Sequence, residues 1–207
     1  MSDCRGVRVL LDGENLNNKE RTRKLISLNN IKFRKILSKD VLKIYKWRNK
    51  KSIRKNMLNS KKIPYKIHLN WFRNLKNDKK NYSFIICYGN KELGVASIKE
   101  IDNFHKTCTW GYYIAEKSYR YLALLIEFKF ISWMFKKKKI RKIWGETVAS
   151  NKGILKIHKY LGFKIEGILR KHLKINNKYE NVILTSLFKE DWKLINNRLM
   201  KKLNKYK

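Results

Sequence analysis

Residues 144–163 read WGETVASNKGILKIHKYLGF. The stretch starts in a strand predicted over Lys142–Val148, apolar except for Glu146. Asn151 then opens a short helix that runs to Leu161, asparagine being a residue that caps helix starts. Gly162 ends it, because glycine takes the left-handed conformation that follows a helix end without strain. Phe163 to Arg170 begins the next strand. One carboxylate, Glu146, and one histidine, His158, are thereby placed on a strand–helix–strand unit.

The pattern extends outward on both sides. Upstream, Tyr82–Tyr88 and Leu93–Ile98 are strands joined by a Gly89-Asn90 turn, and Thr107–Ala115 is a third. Tyr121–Phe135 is a long apolar helix. Further back, Ile31–Leu37 alternates apolar and basic side chains, as a half-buried strand does. Ser38 is placed to cap a helix whose positions Val41, Leu42, Ile44 and Tyr45 share a face and which ends near Trp47-Arg48-Asn49. Pro64, the only proline, sits where a helix can start. Ile67, His68, Trp71, Phe72 and Leu75 follow at helical spacing. Downstream, Glu180–Phe188 is a strand and Asp191–Leu203 a basic helix. The order β-α-α-β-β-β-α-β-α-β-β describes a mixed α/β protein: an antiparallel meander feeding a βαβ unit, with a hairpin-like end.

Composition narrows the class. The chain has 207 residues, 51 Lys+Arg and 16 Asp+Glu, for a formal net charge of +35. Hydrophobic residues make up 43% and aromatics 13%, enough for a core, so wholesale disorder is excluded despite the charge. No apolar run reaches the roughly 18 residues of a membrane-spanning helix. The opening MSDCRGVRVLLDGENL has no long apolar stretch and is a poor secretory signal. Cys4, Cys87 and Cys108 lack metal-ligand spacing and cannot all pair, which fits a reducing cytoplasm. Nothing suggests a metal site. The basic residues are spread over the whole length beside abundant Asn and Ile, so the charge reads first as biased composition and makes nucleic-acid binding the lesser reading. Residues 1–30 have poor periodicity and read as an N-terminal extension of low order. The domain is expected over residues 31–192, with residues 193–207 a basic helical tail.

The segment at 144–163 resembles the C-terminal motif of the GNAT acetyltransferases: a strand with Glu146, Asn151 opening the helix, then Leu161-Gly162-Phe163. Most relatives carry tyrosine where His158 stands. Trp47-Arg48-Asn49, Ile53-Arg54, Met57, His68 and Trp71 are similar to the N-terminal half of a GNAT branch acting on UDP-4-amino-4,6-dideoxy sugars, the pseudaminic acid (flagellin glycosylation) branch. Glu166–His172, Tyr179 and Val182 continue that similarity. The resemblance covers about residues 31–192. It implies the GNAT (acyl-CoA N-acyltransferase) fold, a mixed, mostly antiparallel sheet with helices on both faces. It also implies acetyl-CoA as co-substrate, direct attack of an amine on the thioester, and a cytoplasmic enzyme for which a homodimer is admissible.

The same resemblance implies roles, each with a plainer alternative. His158 is the candidate acid for the departing sulfur, since its ordinary pKa of about 6.5 lets it carry a proton near neutrality; the alternative is a histidine capping a pocket or facing solvent. Glu146 either accepts a proton through water, holds a sugar hydroxyl, or pairs with a lysine. Tyr113 lines the sugar pocket, acts as a second acid, or is a core aromatic; Thr109, two strand positions from Gly111 and four from Tyr113, shares its face. Backbone N–H groups around Ile114 are expected to polarise the thioester carbonyl. The pyrophosphate loop falls on Ser118-Tyr119-Arg120-Tyr121-Leu122-Ala123, where Tyr121 replaces the first loop glycine and only Ala123 fits. There the helix start near Leu122 and the charge of Arg120 are the remaining grips. Asn151 bonds the pantetheine amide or caps its helix. Arg48 and His68 grip the nucleotide diphosphate, and Met57 and Trp71 wall the base or sugar or belong to the core. The competing readings are a GNAT acting on a protein N-terminus or a polyamine, and a non-enzymatic basic module for nucleic acid.

Overall fold

The computed structural model describes residues 27–137 and 139–204. Most of the expected N-terminal extension, with Cys4, lies outside the described residues. The elements are β1 (Ile31–Lys35), α1 (Val41–Asn49), α2 (Lys51–Arg54), α3 (Tyr65–Leu75), β2 (Tyr82–Tyr88), β3 (Lys91–Asp102) and β4 (Thr107–Ile114), then α4 (Ala123–Lys137), β5 (Lys142–Val148), α5 (Lys152–Tyr160), β6 (Lys164–Ile175), β7 (Lys178–Phe188) and α6 (Lys189–Asn204). The strands form one sheet in the order β1-β2-β3-β4-β5-β7-β6. Among the described strands only β4 and β5 run parallel, because α4 crosses over between them.

Alternation along the strands splits the apolar residues between two faces. Ile86, Ala96, Ile98, Trp110, Tyr112 and Ile143 meet α4, α5 and α6 in the larger core. Ile85, Cys87, Val95 and Tyr113 meet Ile44 and Trp47 of α1 and Trp71 of α3 in the smaller one. Helices therefore cover both faces. Each fully buried aliphatic side chain in these layers stabilises by roughly 1.5–3 kcal/mol.

Three local details depart from the sequence pattern. Ser38 does not cap α1; it lies in a 3-10 turn, and the buried Asp40 carboxylate accepts the Leu37 N–H at 2.8 Å instead. Asp40 also takes a two-pronged pair from Arg34 at 2.7 and 2.8 Å, and Arg34 and Lys43 both pair with Glu92. Leu42, expected on the apolar face, is half exposed. The division expected at residue 193 falls inside α6, which buries Trp192 and Leu199 in the larger core.

Gly94 fixes the end of β4. It pairs with Ile114, and a Cβ there would stand 1.9 Å from the Tyr113 carbonyl oxygen. That obstacle is backbone, so it cannot swing aside. Gly94→Ala should therefore push the Tyr113–Ile114 segment away from β3 and destabilise the protein by about 2 kcal/mol, as overpacking does. Urea unfolding reads the loss, and an unchanged midpoint would mean that the two strands can separate freely.

Candidate active site

The sheet opens in its middle. β4 and β5 pair only at Thr107–Lys142, Cys108–Ile143 and Thr109–Trp144. Beyond Thr109 the two strands separate, and among the described residues the β5-facing edge of Trp110–Ile114 has no strand partner. Backbone amides along such an edge can receive the amides of an extended ligand. The strand pleat assigns the side chains at this opening. Thr109, Gly111 and Tyr113 share a face with Trp144 and Glu146, the face of α1 and α3. Trp110 and Tyr112 share the opposite face with Gly145, and that face carries α4 and α5.

Five buried side-chain polar atoms lack a hydrogen-bond partner among the described residues: Arg48 Nη1, Tyr113 Oη, Glu127 Oε1, His158 Nδ1 and Thr185 Oγ1. Such atoms are costly unless a ligand completes them. Four of them form two pairs, one on each face of the opening.

On the α1 side, Arg48 ends its helix with Nη2 donating to the Asn59 carbonyl at 2.8 Å, while Nη1 stays free. Burial lowers the Arg48 pKa, and the Tyr113 hydroxyl partly offsets this. Tyr113 in turn is raised by burial, eased by the nearby guanidinium. The two groups feel each other's charge, and neither has its hydrogen bonds complete.

On the α4 side, Glu127 is fully buried and its carboxyl is pushed well up by burial, the Tyr112 hydrogen bond acting weakly against this. The Tyr112 hydroxyl lies 3.0 Å from Glu127 Oε2, and His158 Nε2 lies 3.4 Å from Oε1. The His158 ring stacks on Phe163 at 4.8 Å and meets Trp110 at 5.7 Å. Burial lowers its pKa to about 4. The expectation of a histidine that carries a proton at neutral pH is thus corrected: the ring is enclosed and neutral. Its position is fixed by the helix end, where Phe163 N–H donates to the His158 carbonyl at 2.9 Å and Gly162 adopts φ +85°. Glu127 and Tyr112 were missed by sequence reasoning. A lone glutamate within the apolar run Ala123–Phe135 was the available signal.

Other expected residues lie elsewhere or are differently used. His68 is buried, its Nε2 3.0 Å from the Val41 carbonyl oxygen and its ring 5.0 Å from that of Trp71. Burial lowers its pKa. It staples α3 to α1 as a neutral ring, which corrects its assignment to a diphosphate. Trp71 packs into the smaller core, and Met57 is half-buried in the turn after α2. Glu146 is exposed on the α1 face beside the opening, and no lysine pairs with it among the described residues. Thr109 donates to the Lys99 carbonyl at 3.4 Å. Asn151 makes no side-chain capping bond, leaving its amide free for other partners. Residues Lys117–Leu122 close into a 3-10 turn in which Tyr119 N–H donates to Glu116 and Ala123 N–H to Arg120. The free N–H groups expected near Leu122 and Ala123 are in part already spent. Arg120 is exposed.

A family profile described as an acetyltransferase (GNAT) domain matches residues 30–164. The chain belongs to the GNAT acetyltransferases. It is an acetyl-CoA-dependent N-acetyltransferase, and the reading as a non-enzymatic nucleic-acid module is set aside. Among solved structures, this GNAT chain is similar to spermidine N-acetyltransferase from Vibrio cholerae in complex with CoA and spermine, at 16% identity and TM-score 0.74, covering 79% of this chain and 98% of that one. A ribosomal alpha-N-protein acetyltransferase in complex with coenzyme A gives 14% identity and TM-score 0.69, covering 80% and 98%. A protein described as a probable acetyltransferase gives 18% identity and TM-score 0.66, covering 79% and 95%. No curated protein matches the sequence. Among the described residues no helix is long and apolar enough to cross a membrane.

Proposed function

We propose that this GNAT enzyme acetylates the amino group of a nucleotide-linked amino sugar, a UDP-4-amino-4,6-dideoxy hexose, by direct attack of the amine on the thioester of acetyl-CoA. The observation that carries the reading is the unfinished pair of Arg48 Nη1 and Tyr113 Oη on the α1 face. A buried guanidinium nitrogen without a partner asks for an anionic oxygen, and a phosphate fits its planar fork. A polyamine acceptor needs carboxylates instead. Of the carboxylates on the α1 side, Asp40 and Glu92 are already paired with Arg34 and Lys43, which leaves Glu146 at the opening as the carboxylate open to a cation. The cytoplasm is the compartment where both polyanionic substrates would be met.

The residues present fit the co-substrate. The open edge of β4 from Trp110 to Ile114 and the uncommitted Asn151 amide would hold the pantetheine amides. The Ile114 region would polarise the thioester carbonyl, and Arg120 would add charge at the phosphates, with the closed turn at Lys117–Leu122 opening to release Ala123 N–H. When bound, acetyl-CoA supplies the activated acetyl group. The enzyme's own part is to hold the amine beside it, and such positioning lowers the barrier by several kcal/mol.

The test is a panel of acceptors: UDP-4-amino sugars, spermidine and a ribosomal N-terminal peptide, with thiol release followed at fixed acetyl-CoA. The expected result is turnover of the nucleotide sugars with kcat/KM at least tenfold above the others. A preference for spermidine or the peptide would overturn the acceptor reading.

A further inference from the structure

The second unfinished pair calls for its own account. His158 sits on the helix that the sequence marked as catalytic, yet its ring is neutral and cannot act as an imidazolium. The ring is not isolated, however. Its Nε2 faces Glu127 at 3.4 Å, Glu127 faces Tyr112 at 3.0 Å, and the atom at the far side of the ring, Nδ1, is buried without a partner. The Trp110 side of the ring places it at the point where β4 and β5 part, since Trp110 follows the last paired residue, Thr109.

We propose that Glu127 is the proton source for the leaving thiolate, acting through His158, with Tyr112 holding the carboxylate that is left behind. The proposal rests on the reading that the opening between β4 and β5 holds the thioester. As the amine nitrogen bonds to the acetyl carbon and the C–S bond breaks, the electron pair goes to sulfur. His158 Nδ1 gives its proton to that sulfur. His158 Nε2 takes the carboxyl proton of Glu127. The Tyr112 hydroxyl, which donates to Oε2, stabilises the resulting carboxylate. The surplus proton of the new amide nitrogen leaves to water, and Glu127 regains one when the thiol departs. No residue carries a net charge before the step, which suits a dry enclosure. The 3.4 Å contact needs only a small shift to reach hydrogen-bond length.

Burial favours the neutral form of both partners: it raises the Glu127 carboxyl and lowers the His158 imidazole. The titratable groups that meet Glu127 among the described residues are Tyr112 from β4 and His158 from α5. Trp110 and Phe163 cover the ring with no charge. Glu127 is thus a positioning and proton-storing residue, and His158 is the group that touches the reacting atoms.

Two measurements decide it. Nitrogen NMR of histidine-labelled protein at pH 7 should show His158 neutral with the proton on Nδ1 and a bare Nε2, and infrared spectroscopy should show a protonated carboxyl band that E127Q removes. E127Q should also lower kcat at least tenfold with KM for acetyl-CoA unchanged, and remove the alkaline limb of the pH–kcat profile. Glu127→Asp, which keeps the acid, should recover part of the rate, whereas a merely structural role would make it the worse variant. A proton on Nε2, an ionised Glu127 at neutral pH, or E127Q with wild-type kcat and pH profile would overturn the relay. If no acceptor in the panel is acetylated, the acceptor reading fails, and the two spectroscopic results still decide the relay.

Discussion

Arg48→Leu should lower kcat/KM for a nucleotide-linked amino sugar about 30- to 100-fold while raising the unfolding midpoint. The two effects share one cause. Arg48 is half-buried, with Nη1 enclosed and unpartnered among the described residues, and its pKa is lowered by that burial. A buried charge short of partners destabilises the empty protein. Leucine removes that cost and leaves only the Asn59 carbonyl, which water can satisfy. When an anionic acceptor binds, the same nitrogen gains a charge-assisted hydrogen bond of about 2–3 kcal/mol, which sets the expected loss. The loss should appear in the acceptor KM, with KM for acetyl-CoA unchanged, because Arg48 stands on the α1 face. Tyr113→Phe removes the second unfinished atom and should cost several-fold on the same substrate. Steady-state kinetics with thermal unfolding of each variant checks the pair. A stabilised Arg48→Leu with unaltered acceptor kinetics would show that the acceptor binds elsewhere.

The sequence made the fold legible where periodicity was strong. The stretch at 144–163 gave β5, α5 and the start of β6 within a residue or two, because Gly162 and the apolar strand leave few alternatives. The meander of β2, β3 and β4 was equally plain. What the pattern understated was length: β3 runs to Asp102 and β6 to Ile175, past the apolar residues, since antiparallel pairing carries polar strand ends along with it. The site was less legible for a physical reason. His68 and Trp71 sit at helical spacing that suits a core or a pocket, and only their contacts with Val41 and each other settle the matter. Glu146 and Glu127 show the limit most sharply. Both are single carboxylates in apolar surroundings of sequence. One points outward and the other is the fully buried partner of His158 and Tyr112, because the strand alternates faces while the α4 stripe turns Glu127 inward. Periodicity gives the face of a residue, but burial depends on what the other elements bring to it.

Through His158 alone, the wild-type protein should lose about 2 kcal/mol of stability between pH 6.5 and pH 4.5. Its pKa falls from 6.5 in the unfolded chain to about 4 in the folded one. In that window the unfolded state binds a proton that the native state refuses, so stability drops as pH falls. The full shift corresponds to about 3 kcal/mol, of which about 2 falls between pH 6.5 and 4.5. His68, also lowered by burial, acts in the same direction. The carboxylates held low by partners, Asp40 by Arg34, Glu92 by Lys43 and Glu166 by Lys142, have the usual sign for acids. They stabilise above their unfolded values of 3.8 to 4.5 and lose that contribution as pH falls further. The carboxylates held low therefore leave the interval from 6.5 to 4.5 to the buried histidines and to Glu127, which act there with opposite signs. Glu127 opposes the histidines: its raised pKa means that stability declines as pH rises above 4.5 toward its folded value, which offsets the His158 slope in the wild-type protein. His158→Gln, which still reaches Glu127 but does not titrate, should therefore gain about 2 kcal/mol relative to the wild type as pH falls from 6.5 to 4.5, leaving the Glu127 decline with rising pH unopposed. Urea unfolding at pH 4.5, 5.5 and 6.5 measures both limbs of the argument. An acid slope identical in the two proteins would mean that His158 takes up its proton in the folded state, with Glu127 ionised beside it as an ion pair.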